Sequence, residues 1–209
     1  MIEEQRTEVP LTGHYQDKLE GSFEERARLF DGAIGTPRGS LLDVGCNLGD
    51  FTAHYAKRGM WAVGVDIKAE LIAEAQSRHG LVPNAAFMVS PIDSRSVRSL
   101  PRFDVTLLLS VHHHWLAAYG PEVAGKMLRD IVRRTRRVVI FESASRNARF
   151  GKYPPGFIDN DEASVTGYHE AHLTEHVGDL VEIEPLGKTR CVGEREPFRW
   201  AWALRRVRR

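Results

Sequence analysis

The chain has 209 residues, is 42% hydrophobic, and carries 29 Lys and Arg against 28 Asp and Glu, a formal net charge of +1. That length and apolar share predict one domain spanning 1–209 with a single substantial core, while the balanced charge gives no global field that favours nucleic acid as a partner, though it leaves nucleic acid possible. No run approaches the ~20 apolar residues of a membrane span, the N-terminal Met1-Ile-Glu-Glu-Gln-Arg has no secretory apolar core, and Cys46 and Cys191 make no disulfide framework, so a cytoplasmic protein is expected.

In chain order, residues 1–16 are polar. Ser22-Phe-Glu-Glu25 is a capping-box pattern that opens a helix through about Ile34, with Phe23, Ala27, Phe30 and Ile34 at helical spacing. Gly35 to Gly39 break it before a short apolar run, Leu41 to Val44. A helix follows from about Asp50 to a stop at Gly59, then a strand at 61–66, a helix from about Ala69 to Gly80, and strands at 85–89 and 103–109. A helix from Pro121 to Arg134 and a strand at 137–142 continue the alternation. Such alternation predicts a mostly parallel sheet covered on both faces. Two strand-like segments at the end, Val181 to Lys188 and Arg199 to Arg205, have no helix between them and predict an antiparallel hairpin at the edge, giving seven strands in a doubly wound α/β fold.

The most informative segment is Leu41-Leu42-Asp43-Val44-Gly45-Cys46-Asn47-Leu48-Gly49-Asp50-Phe51, with Asp66 ending the next apolar run. Strand, glycine turn and helix, followed by an acid at the end of the second strand, are the arrangement that places a nucleoside and its ribose hydroxyls. A pyrophosphate needs a third backbone-hugging glycine, and position 47 is Asn. Asp43 at the mouth of the first strand repels a pyrophosphate but suits a ligand carrying an ammonium and a sulfonium.

At these residues the chain resembles the class I S-adenosylmethionine-dependent methyltransferases. The resemblance rests on LLDVGCNLGDF, VGVDI, FDVTLLLSVHHHW and RRVVIFE, and covers roughly residues 38–206. It implies a Rossmann-like core, 37–209, behind an N-terminal helical lid, 1–36. It implies S-adenosyl-L-methionine as cofactor, with Asp43, Gly45, Cys46, Asn47, Gly49 and Phe51 around the methionyl part, Asp66 and Ile67 at the ribose, Ile92 and Asp93 at adenine, and Ser110 near the methyl. The acidic adenine contact common in the family sits about two places before Asp93, where this chain has Ser90 and Pro91. The segments LLLSVHHHW, VVIFE and GEREPFR also look like the methyltransferase half of bacterial O-antigen chain-terminating enzymes, and more faintly like RNA methylphosphate-capping enzymes. Both imply an oxygen or phosphate acceptor, here on a small molecule or saccharide.

Residues leaving the fourth strand should face the ligand edge, which makes His112, His113 and His114 the candidate catalytic groups, His113 and His114 foremost. An imidazole near neutral pH can act as a base or orient an acceptor. A structural role and a zinc site are the alternatives, the latter disfavoured because adjacent residues project in different directions. The cluster Tyr168-His169-Glu170-Ala-His172-Leu-Thr-Glu175-His176 lacks the zincin spacing and reads as an amphipathic surface helix that could wall the acceptor pocket. Arg195 and Arg199 could bind an anionic acceptor or pair with Glu194 and Glu196. Trp200 and Trp202 read as core. Two rival classes remain: a non-catalytic nucleoside-binding partner subunit, and a nicotinamide oxidoreductase, against which the missing glycine and the terminal hairpin argue. The oligomeric state has no signature in the sequence.

Overall fold

A computed structural model describes residues 20–144, 162–190 and 198–207. Seven strands form one sheet: β1 (Ser40–Val44), β2 (Trp61–Asp66), β3 (Ala85–Val89), β4 (Phe103–Leu109), β5 (Thr135–Glu142), β6 (Val181–Arg190) and β7 (Phe198–Arg206). Their order is β3-β2-β1-β4-β5-β7-β6. β1 to β5 pair in parallel, and β7 pairs antiparallel with both β5 and β6. The doubly wound reading with a terminal hairpin therefore holds. From β1 the chain runs outward through β2 and β3 and returns to β4 on β1's other side, so a crevice opens beyond the carboxyl ends of β1 and β4.

Strand parity divides the core, because successive side chains point to opposite faces. Toward one face Leu41, Leu107 and Ile140 meet Phe30 of α1 (Glu20–Ile34) and Tyr55 of α2 (Asp50–Lys57). Toward the other, Leu42, Leu108 and Phe141 meet Leu116, Leu128 and Leu173. These three belong to α4 (His112–Tyr119), α5 (Pro121–Arg134) and α6 (Glu162–Val177), while α3 (Ala69–His79) packs Ile72 and Ala75 against Phe87. At about 1.5 to 3 kcal/mol for each large apolar side chain, these two layers supply most of the driving force for folding. Trp200 and Trp202 are core, as read from the sequence. Among the described residues no helix is long and apolar enough to cross a membrane.

One helix went unread in the sequence, and one expectation needs correction. The residues after β4 wind almost at once into α4. Its start has no side-chain cap, and His-His-His carries no apolar period, so the sequence gives no helix signal there. Trp115 and Leu116, 5% and 1% exposed, hold the helix in place by tertiary packing. Helix α6 is no surface helix. Val165, His169, His172, Leu173 and Val177 are buried at helical spacing, so the histidines belong to the packed stripe. Gly125 of α5 makes this approach possible, because a Cβ there would overlap the His176 ring. None of the α6 residues lines the cavity described next. Arg195, Cys191 and nearly all of the connection 144–161 lie outside the described residues.

Candidate active site

A cavity of about 780 Å³ lies at the crevice between β1 and β4. Its first wall is the turn from β1 into α2. Gly45 has φ +69° and Asn47 φ +53°, conformations that glycine and, among L residues, asparagine tolerate best. Gly45 N and Cys46 N both donate to Val65 O, at 2.8 and 2.9 Å, which ties the turn to β2. A Cβ on Gly45 would come within 2.5 Å of Val111 Cγ2, so the close passage of the two crevice strands also requires glycine. Gly45, Cys46, Asn47 and Phe51 line the cavity; Gly49 does not. Gly49 precedes α2 with φ +80°, and a Cβ there would overlap the Phe87 ring. Its task is turn geometry.

Two carboxylates mark this end. Asp66 Oδ2 accepts from Asn47 N at 3.1 Å and Oδ1 from Lys68 N at 3.0 Å, so backbone donors fix its orientation and leave a second lone pair on each oxygen. Asp43 is 3% exposed and accepts from Thr52 Oγ1 at 2.7 Å. Burial pushes its pKa up to about 6, against the opposing pull of the Thr52 hydrogen bond and the Arg26 guanidinium. Ile67, Ile92 and Asp93 line the same cavity farther along. Asp93 Oδ1 accepts from Ser96 N and Arg95 N, both at 2.8 Å, just before the short 3-10 turn Ser96–Ser99, and these bonds lower the carboxyl's pKa.

At the exit of β4, Ser110 adopts φ +54°, unusual for a residue with a side chain. Its hydroxyl lies 2.9 Å from both Glu142 Oε2 and Ser143 O. Successive residues of α4 then fan out by about 100° each. His113 and His114 face the cavity with ring centroids 3.9 Å apart. His112 does not join them. Its ring is buried against Phe141 and Trp115, with Nε2 3.3 Å from His172 Nε2, where one ring must donate and the other accept. His112 is therefore not among the residues that line the cavity, and of the three expected catalytic histidines only His113 and His114 do.

The surroundings of both rings shift them below the ordinary imidazole range, which favours an orienting role over that of a base. Burial, then His114 and Arg199, push His113 down to about 3. Burial and the Lys68 ammonium lower His114 as well, only partly opposed by Asp66. Both shifts favour the uncharged ring.

Sequence reasoning missed Arg26 and Glu142. Arg26, on α1, lines the cavity beside Asp43. Its Nε and Nη2 donate to Glu142 Oε1 and Oε2, each at 2.8 Å, and the guanidinium lies 4.8 Å from the centroid of Phe51. Glu142 ends β5 with no exposed surface and also has Arg199 Nη1 at 3.8 Å. A charged residue closing the apolar run Val138 to Phe141 at the ligand edge of the sheet was a usable signal for Glu142. Arg26 gave none, since arginines are ordinary on helix faces.

The family model for a methyltransferase domain matches residues 42–139. That match runs from β1 into β5, the parallel strands that frame the cavity, and the fold is the Rossmann-like one of methyltransferases. Among solved structures the chain is similar to WbdD, a bifunctional kinase-methyltransferase, at 22% identity and TM-score 0.64, the match covering 88% of this chain and 38% of that one. It is similar also to magnesium protoporphyrin IX methyltransferase (ChlM) from Synechocystis PCC 6803, solved with SAM bound, at 18% identity and TM-score 0.65, covering 96% and 87%. EvdMO1 matches at 21% identity and TM-score 0.59, covering 87% and 40%. The chain thus spans about two fifths of WbdD, and at these identities the likeness is one of fold. No curated protein matches the chain in a sequence comparison.

Proposed function

We propose that this chain transfers the methyl group of S-adenosyl-L-methionine to an oxygen of a small-molecule or saccharide acceptor, and that this oxygen is already anionic, as in a phosphate or a carboxylate. The observation that carries the reading is the convergence of His113, His114 and the Arg199 guanidinium on one cavity. A ring with a pKa of about 3 is a poor base for an alcohol. It is a good hydrogen-bond partner for an acceptor that needs no deprotonation, and Arg199 supplies the charge to attract one.

The donor suits the residues at the other end. Asp43 would offer a buried carboxylate to its ammonium, Asp66 would offer oxygens to the ribose hydroxyls, the turn Gly45 to Asn47 with Phe51 and Ser110 would hold the methionyl part, and Ile67, Ile92 and Asp93 would bound the base. When bound, S-adenosylmethionine supplies a methyl on positive sulfur, which passes to a nucleophilic oxygen while the carbon–sulfur electron pair stays with sulfur. His113 and His114 orient that oxygen and exclude water, and Arg199 partly neutralises it. Most of the acceleration then comes from positioning, worth several kcal/mol or more. Helix α1 serves as a lid on the core that begins at residue 37, within one domain.

The test is a set of matched acceptors with methyl-labelled donor: sugar phosphates and carboxylic acids beside the corresponding neutral alcohols. Label should enter the phosphorylated or carboxylated member. Preferential labelling of the neutral alcohols would overturn the reading.

A further inference from the structure

We infer that Arg26 is the anchor for the α-carboxylate of the donor and that Glu142 is the positioning residue that holds it there, which makes the N-terminal helix α1 a structural part of the donor site. This rests on the proposed donor, and it names two residues that the sequence motifs do not contain. An amino-acid end carries an ammonium and a carboxylate a few ångströms apart, so its site needs an anion and a cation at matching separation. Asp43 supplies the anion. Arg26 is the cation nearby: both side chains line the cavity beside Gly45, and the guanidinium is close enough to ease the ionisation of Asp43.

Two of the three guanidinium nitrogens are committed. Nε and Nη2 form the paired bonds to Glu142 described above, and Nη1 has no hydrogen-bond partner among the described residues. The two-point grip fixes the plane of the fork, and the Phe51 ring at 4.8 Å limits its tilt. Glu142 itself cannot move easily. It has no exposed surface, its backbone pairs with Leu109 on one side and Ala201 on the other, and the Ser110 hydroxyl is within 2.9 Å of Oε2. A buried carboxylate is costly unless closely paired, and with Arg199 no nearer than 3.8 Å the hydrogen-bonded cation it demands comes from α1. Residue 26 meets that demand only when α1 lies across the cavity, and α1 is thereby set in register with the donor site.

The experiment compares two ligands by calorimetry on the full-length protein: S-adenosylhomocysteine, which has the amino-acid end, and 5′-methylthioadenosine, which lacks it. Glu142→Gln and Arg26→Ala should each weaken S-adenosylhomocysteine about tenfold to a hundredfold, the range for a lost charge-assisted bond. 5′-Methylthioadenosine should change by no more than about twofold. The double variant should be scarcely worse than either single one, because both remove the same interaction. Arg26→Lys, which keeps the charge and loses the fork, covers the case in which Glu142→Gln does not fold, and should still weaken S-adenosylhomocysteine selectively. Equal losses for both ligands would make the pair merely structural, and unchanged S-adenosylhomocysteine affinity would overturn the anchor. Wild-type protein that binds neither ligand would instead overturn the donor assignment itself.

Discussion

Replacing Asp43 with Asn should make the ligand-free protein more stable and the donor complex weaker. The carboxylate is buried, and its pKa rises from the ordinary 3.8 to about 6, chiefly through desolvation. The folded state therefore binds the proton more tightly than the unfolded chain does. The associated destabilisation is absent below about pH 4, grows as pH climbs to about 6, and is complete above it. At ~1.4 kcal/mol per pH unit, the ionised group costs the fold about 3 kcal/mol at pH 7. An Asn side chain retains an oxygen for Thr52 Oγ1 and removes the charge, so the melting temperature should rise by on the order of 5–10 °C. Differential scanning calorimetry of the two proteins at pH 7.5 measures it. Donor affinity should fall about tenfold to a hundredfold with the lost ammonium partner. In the wild type alone it should also fall about tenfold from pH 7 to pH 5 as the carboxylate takes up its proton. An Asn variant that is no more stable than wild type, or a wild-type affinity that is flat across that range, would refute the reasoning that a strained carboxylate is kept for the ligand.

Substituting His113 and His114 together with Ala should lower turnover by about a hundredfold or more and leave S-adenosylhomocysteine affinity nearly unchanged. Because both rings stay neutral, the wild-type rate should show no limb near pH 6.5; such a limb traced to either ring would refute their assignment as neutral orienting groups. Asp66→Ala should weaken the donor by about 1.5 to 3 kcal/mol through lost ribose hydrogen bonds, and unchanged affinity in a folded variant would remove Asp66 from the ribose. Burial and neighbouring histidines push His169 to about 3, His172 to about 4 and His112 well below the usual value. The unfolded chain takes up their protons first, so urea denaturation should show stability that is full above about pH 7 and falls as pH drops below 6.5, with a smaller slope in His172→Gln.

The parts of this protein that were legible in the sequence are those that local rules determine. Leu41 to Val44, Gly45 and Asp66 announce a strand, a tight turn and an acid at the next strand's end, because backbone conformation and side-chain parity demand those residue types there. The terminal hairpin was readable for the same reason: two alternating segments without an intervening helix must pair antiparallel. What escaped depends on contacts distant in sequence. Glu142 lies 116 residues from Arg26. Nothing within either local window reveals that α1 and the end of β5 meet.

The three histidines show where local reading stops being sufficient even inside a motif. As an extended strand exit, His112-His113-His114 would offer alternate rings to the ligand edge, and the middle residue would point away from its neighbours. Wound into α4, the same residues separate differently: His113 and His114 share the cavity, and His112 turns inward to meet His172 of α6. The inward ring is thus part of what holds α6 against α4. Desolvation governs both groups, keeping the core ring uncharged so that it can be buried and keeping the cavity rings uncharged beside Arg199. A site built from neutral imidazoles and a guanidinium selects for acceptors that bring their own negative charge, so the packing that fixes α4 also bears on which oxygen can be methylated.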